Sequence, residues 1–310
     1  MTIRVLMVFG TRPEAIKMAP VFNTFQQSAD YDVRVCVTGQ HREMLDQVLT
    51  FFGIEPDFDL DIMRPGQDLY DITTAVLVGV RDVIRRFSPH YVFVHGDTTT
   101  CMAAAMAAFY EKITVVHVEA GLRTGNLAAP FPEEMNRCVV GRLAQLHFAP
   151  TLRAQDCLLR EGVDPATVLV TGNTVIDALQ LTLTKIETNY GPEYWERRFG
   201  HDLIYKMRDA RRKKVLITGH RRENFGTGIE NICHALATMA REHPDWLLVF
   251  CVHRNPNVSE PVTAILAGHD NVELIEPLEY DAFVWMMNAV DVIVTDSGGV
   301  QEEAPSLALG

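Results

Sequence analysis

Short, almost uninterrupted apolar runs recur along this chain, and they restrict its fold more than any other feature. They fall at 3–9, 33–37, 91–95, 114–118, 146–148 and 168–170, then again at 214–218, 247–252, 272–275 and 290–295. Runs this short, rich in Val, Ile and Leu and without polar alternation, suit parallel strands covered on both faces. Between them lie helical patterns at 19–26, 44–51, 71–87, 98–110, 133–144 and 228–241. That rhythm predicts right-handed βαβ units and doubly wound α/β sheets. It lapses between Gly172 and Lys214, in a helical and polar stretch containing Gly191-Pro192. A first domain over 1–172 and a second over 173–310 are therefore expected, with the hinge near 172–178. The second shows fewer strand patterns than a full doubly wound sheet of ~5–6 strands uses.

Charge narrows the partners. The 310 residues carry a formal net charge of −12 and a pI near 5.4. Nucleic acid and anionic membrane surfaces, which need a net basic face, are disfavoured. A small anionic ligand is not, since a few local cations suffice. No stretch approaches the ~18 consecutive apolar residues of a membrane helix. The N-terminal apolar run is too short for a secretory signal and reads as a first strand. The six cysteines are scattered without metal or redox spacing and read as small buried hydrophobes. A reducing, cytoplasmic location is expected.

Polar motifs close strand after strand: Gly10-Thr-Arg-Pro-Glu14, His95-Gly-Asp-Thr-Thr-Thr100, His117-Val-Glu-Ala-Gly-Leu-Arg-Thr124, Thr171-Gly-Asn-Thr174, Thr218-Gly-His-Arg-Arg-Glu-Asn224 and Thr295-Asp-Ser-Gly-Gly-Val-Gln-Glu-Glu303. Open α/β sheets bind ligands beyond the carboxyl ends of their strands, which is where these motifs fall. One group is cationic: Arg12, Lys17, His220, Arg221 and Arg222. With the small turn Ser297-Gly298-Gly299 opening a helix, it suits a phosphate or diphosphate. Arg12 could equally pair with Glu14 on the surface, Lys17 could stand exposed, and the glycine turn could be a plain connection. A second group is acidic: Asp97, Glu119 and Glu133, able to divide acid and base roles. Asp97 could instead cap the following helix, and Glu133 could be a first-turn residue favoured by the helix dipole. Glu119, ending an apolar strand, has no capping duty. His117 reads as a core histidine. No G-x-G-x-x-G follows a strand, no phosphate-binding P-loop sequence occurs, and no spacing suggests a metal, so neither a bound dinucleotide cofactor nor a metal is expected.

Taken together, these segments resemble the non-hydrolysing UDP-N-acetylglucosamine 2-epimerases of bacteria. The likeness runs through GTRPEAIKMAP at 10–20, TGQHREML at 38–45, HGDTTT at 95–100, HVEAGLRT at 117–124, FPEEMNR at 131–137, TGNTVIDAL at 171–179, GHRRENFG at 219–226 and DSGGVQEEAP at 296–305. It implies a GT-B-like pair of Rossmann-type domains around a cleft and a homodimer with no cofactor. It also implies conversion of UDP-GlcNAc into UDP-ManNAc for surface polysaccharides. By the resemblance Asp97, Glu119, Glu133 and His220 are catalytic. Arg12, Lys17, Arg222, Ser297, Gly298, Gly299 and Glu303 bind substrate, with Glu303 on the ribose hydroxyls. A second UDP-GlcNAc site is implied at Gln40 and Arg42, although Gly66 stands where the pattern has an arginine. The pattern also continues beyond Gly310 into a further strand and helices, so the second domain is expected to be incomplete and less stable. The competing classes are a GT-B glycosyltransferase, which would need an acceptor, and an inactive UDP-binding fragment.

Overall fold

The computed structural model describes residues 2–39, 42–219 and 226–307. It divides into two compact units, Met1–Ala178 and Leu179–Gly310.

Unit 1 runs β1 (Ile3–Phe9), α1 (Arg12–Gln26), β2 (Tyr31–Val37), α2 (Arg42–Phe52), β3 (Phe58–Asp59), α3 (Leu69–Phe87), β4 (Tyr91–His95), α4 (Thr99–Tyr110), β5 (Thr114–Val118), α5 (Glu133–Leu143), β6 (Leu146–Ala149), α6 (Leu152–Arg160) and β7 (Val168–Val170). The strands form one parallel sheet in the order β3-β2-β1-β4-β5-β6-β7. The order reverses beside β1, so β1 and β4 diverge in connection there and leave a crevice at their carboxyl ends. The central strands are buried because their residues are apolar on both faces: Leu6, Met7, Val8 and Phe9 of β1 are all fully covered. Helix α4, rich in alanine and buried almost throughout, packs closely on this sheet.

The division falls inside α7 (Thr174–Asn189), a few residues beyond Gly172. Unit 2 goes on with α8 (Pro192–Phe199), α9 (His201–Arg208), β8 (Lys214–Gly219), α10 (Thr227–Glu242), β9 (Leu247–Val252), α11 (Pro256–Leu266), β10 (Val272–Ile275), α12 (Tyr280–Asn288), β11 (Val292–Thr295) and α13 (Gly298–Glu303). Its parallel sheet has the order β10-β9-β8-β11. A separate aromatic cluster joins α8 to α12: the rings of Trp195 and Trp285 stack at 4.6 Å and 17°, with Phe199 5.1 Å from Trp285. Tyr190 and Tyr194 stack beside it at 4.1 Å. None of the described helices is long and apolar enough to cross a membrane.

Candidate active site

Three strand ends and two helices converge in unit 1. Helix α1 begins at Arg12 because Thr11 and Glu14 form a reciprocal capping box. Glu14 is buried and taken up locally: it accepts from the Gly10 and Thr11 amides at 3.0 and 2.8 Å, and from the Thr98 hydroxyl at 2.6 Å. Burial raises its pKa against those hydrogen bonds. The Arg12–Glu14 surface pair considered from sequence is thus not what the Glu14 carboxylate does. One turn further on, Lys17 points its ammonium at Glu119 and pairs with Oε2.

Glu119 follows β5 with φ of 60°. That left-handed conformation costs a non-glycine residue about 1–2 kcal/mol, and such strain concentrates at functional positions. The side chain is 7% exposed. Arg137, four residues after Glu133 on α5, bridges the acids. Its Nε and Nη2 reach Asp97 Oδ2 at 2.8 and 2.6 Å, Nη2 reaches Glu119 Oε1 at 3.3 Å, and Nη1 donates to the Glu119 carbonyl at 3.1 Å. Neighbouring Asn136 donates to the Asp97 carbonyl at 2.8 Å. Burial works to raise the Glu119 pKa, but His95, Lys17 and Arg137 outweigh it and hold the carboxyl at about 2. Glu119 is therefore ionised and clamped between two cations.

Asp97 does not cap α4. Thr98 does, accepting from the Cys101 amide at 3.0 Å, and this leaves the Asp97 carboxylate for Arg137. Glu133 is the first residue of α5 and half-buried, at a position the helix dipole favours for an acid. The buried acid on that turn is Glu134, which accepts the Thr124 and Gly125 amides at 2.9 and 2.8 Å and so holds the loop after β5. His117 is a core histidine bonded through Nε2 to the Gly96 carbonyl at 2.8 Å, and burial pushes its pKa down to about 3. Sequence reasoning missed Arg137 and His95. The four-residue spacing from Glu133 was the available signal for Arg137, since it places both on one helix face.

In unit 2 the Thr218 and Thr295 hydroxyls meet at 2.7 Å across β8 and β11, and the Ser297 amide donates to Thr295 Oγ1 at 3.0 Å. Ser297 precedes Gly298 and Gly299 at the start of α13. A Cβ on Gly299 would meet nothing nearer than Ser297 Oγ at 3.9 Å, so the turn itself leaves that small residue unexplained. Glu303 is buried, with the Tyr280 hydroxyl 3.5 Å from Oε1. Gln40, His220 and Arg222 lie outside the described residues; Arg42 opens α2.

A cavity of about 340 Å³ adjoins the unit 1 constellation, with Asp97, Arg123, Thr124, Glu134, Arg137 and Arg153 in its wall. A slightly larger one, about 380 Å³, opens beside the aromatic cluster of unit 2. It contains none of the strand-end motifs.

Parallel sheets with acids, cations and small residues at their carboxyl ends define a GT-B-like enzyme built from Rossmann-type units. Residues 23–310 match the family model for UDP-N-acetylglucosamine 2-epimerase. A probable UDP-N-acetylglucosamine 2-epimerase of Ralstonia nicotianae is 56% identical over 98% of this chain and 80% of its own length. The UDP-N-acetylglucosamine 2-epimerase of Escherichia coli K12 is 53% identical over the same shares. Among solved structures, UDP-GlcNAc 2-epimerase from Neisseria meningitidis bound to UDP-GlcNAc superposes with a TM-score of 0.88. That protein is 49% identical, over 99% of this chain and 81% of its own. The chain belongs to the UDP-N-acetylglucosamine 2-epimerase family, whose members are isomerases.

Proposed function

We propose that this protein interconverts UDP-GlcNAc and UDP-ManNAc by eliminating and re-adding UDP, as a homodimer in the cytoplasm that serves surface polysaccharide synthesis. The carrying observation is the partly buried Lys17–Glu119–Arg137–Asp97 network, in which acids and cations alternate at the sheet's carboxyl edge.

The chemistry explains that alternation. The C2 proton of the sugar is too weakly acidic for direct abstraction. Breaking the C1–O bond first sends the electron pair out with UDP and leaves an oxocarbenium-like centre that acidifies C2–H. A carboxylate then takes the proton, giving 2-acetamidoglucal with a C1=C2 double bond. Re-addition of UDP at C1, with protonation of C2 from the other face, completes epimerisation. Asp97, Glu119 and Glu133 serve as the acid–base groups, with His220. Arg12 and Lys17 hold the departing diphosphate, where fixed cations stabilise the developing charge. Arg222, Ser297, Gly298, Gly299 and Glu303 bind the UDP moiety, and Gln40 with Arg42 form a second nucleotide-sugar site.

Incubation with UDP-GlcNAc in heavy water tests the reading. Deuterium is expected at C2 of both epimers. Epimers formed without label, or no turnover and no glucal, would refute it.

A further inference from the structure

Next to Glu119 stands a buried histidine that the chemistry above does not use. His95 ends β4, is 3% exposed, and neither of its ring nitrogens has a hydrogen-bond partner among the described residues. Burying a polar group without a partner is costly, so a functional reason is called for. Nε2 lies 3.7 Å from Glu119 Oε2, just outside the ~2.7–3.2 Å range of a good N–H···O bond. The same oxygen is the one Lys17 occupies. The charged and titratable groups facing the ring are His117 from β5, Glu119 just after it, Lys17 from α1 and Arg137 from α5. One carboxylate oxygen thus has two candidate donors, and the ammonium currently holds it.

We propose that His95 is the positioning residue for Glu119 in the loaded site: when a ligand diphosphate draws the Lys17 ammonium away, Glu119 Oε2 turns onto the His95 Nε2–H. This rests on the roles proposed above for Lys17 and Glu119. The exchange matters because the two donors do different things. A cation lowers the carboxylate's basicity strongly, which protects an idle site. Burial drives the His95 pKa down to about 4, so its ring donates as a neutral group. A neutral donor fixes the carboxylate's direction and suppresses its basicity much less. Substrate arrival then aims the base and strengthens it in one movement.

The test compares H95F with H95Q, whose amide nitrogen can reproduce the Nε2 donor. For H95F a fall of about 100-fold in kcat is expected, the size of effect a ~1 Å misplacement of a reacting group produces. KM and the Kd for UDP should stay within about three-fold, because Lys17 and the nucleotide contacts are intact. The acid limb of the kcat profile should move to higher pH, since Glu119 loses a hydrogen bond to its charged form. H95Q should recover most of kcat and restore the limb. H95Q failing as badly as H95F with the acid limb unmoved would mean a packing role and overturn the proposal, as would an unimpaired H95F. A measurement on the wild type is independent of how the variants fold. In histidine-labelled protein, saturating UDP should bring out a slowly exchanging imidazole N–H resonance that is missing in H95Q. Its absence would also overturn the proposal. A wild type that exchanges deuterium at C2 but shows no such resonance ends this inference alone; one that exchanges none ends the epimerase reading.

Discussion

Replacing Glu119 with Gln should cost unit 1 a pH-dependent share of its stability. The folded carboxyl sits at about 2 against an ordinary value of 4.5, a depressed pKa. Its contribution is therefore present above the unfolded value and lost as pH falls through the folded one. A tenfold change in proton affinity corresponds to about 1.4 kcal/mol, so the contribution is at most about 3 kcal/mol near pH 7, where His95 is neutral and adds no charge, and it falls as pH drops toward 3. Gln keeps the shape and removes the charge, leaving Lys17 and Arg137 facing a neutral group. Native-state hydrogen exchange of the β4 and β5 amides under increasing urea reads unit 1 directly. E119Q should be less stable than wild type by up to about 3 kcal/mol near neutrality, with the gap narrowing toward pH 3. An E119Q penalty that is absent near neutrality, or unchanged across that range, would show that the cations are balanced by something other than this carboxylate.

Other substitutions probe the frame around it. Gly121 has φ of 88°, and a Cβ there would sit 2.2 Å from the Ala154 carbonyl oxygen; G121A should lose roughly 2–5 kcal/mol from conformational strain and overpacking, measured by the same exchange experiment. R137M removes the fork shared by Asp97 and Glu119 and should lower kcat by about 10²–10³-fold, in line with loss of a preorganised electrostatic group. Steady-state kinetics showing only a KM change would contradict that. E303Q replaces the acid assigned to the ribose hydroxyls and should weaken UDP binding about 10-fold or more; calorimetry giving an unchanged Kd would remove Glu303 from the nucleotide site.

The sheets were legible because parallel strands advertise themselves: Ile3–Phe9, Tyr91–His95, Thr114–Val118 and Leu247–Val252 are nearly continuous apolar runs. The two-residue β3, Phe58–Asp59, has no pattern to read and exists because β2 offers it an edge. The first turns of α1 were also hidden, since a capping box and Pro13 start that helix before its periodic face begins. Glu119 stood out locally, as an acid without a capping role. Its partners did not. Lys17 is 102 positions away in the chain, and Arg137 reaches back 40 positions to Asp97. Those pairings are created by the order of strands in the sheet, which no local spacing encodes. His95 headed a strand-end motif, but its role was hidden for a related reason: its interest lies in a missing hydrogen bond, which only three-dimensional surroundings reveal.

The aromatic cluster has an optical consequence. The chain has three tryptophans, Trp195, Trp246 and Trp285, and all lie in unit 2. Two are stacked closely enough for their excited states to couple, while the sheet bearing Glu119 contains no indole. Intrinsic fluorescence of this molecule is a report from one half only. Melting of unit 1 would leave the local emission of unit 2 in place, and a tryptophan introduced at Phe93, inside β4, would give the silent half a colour of its own.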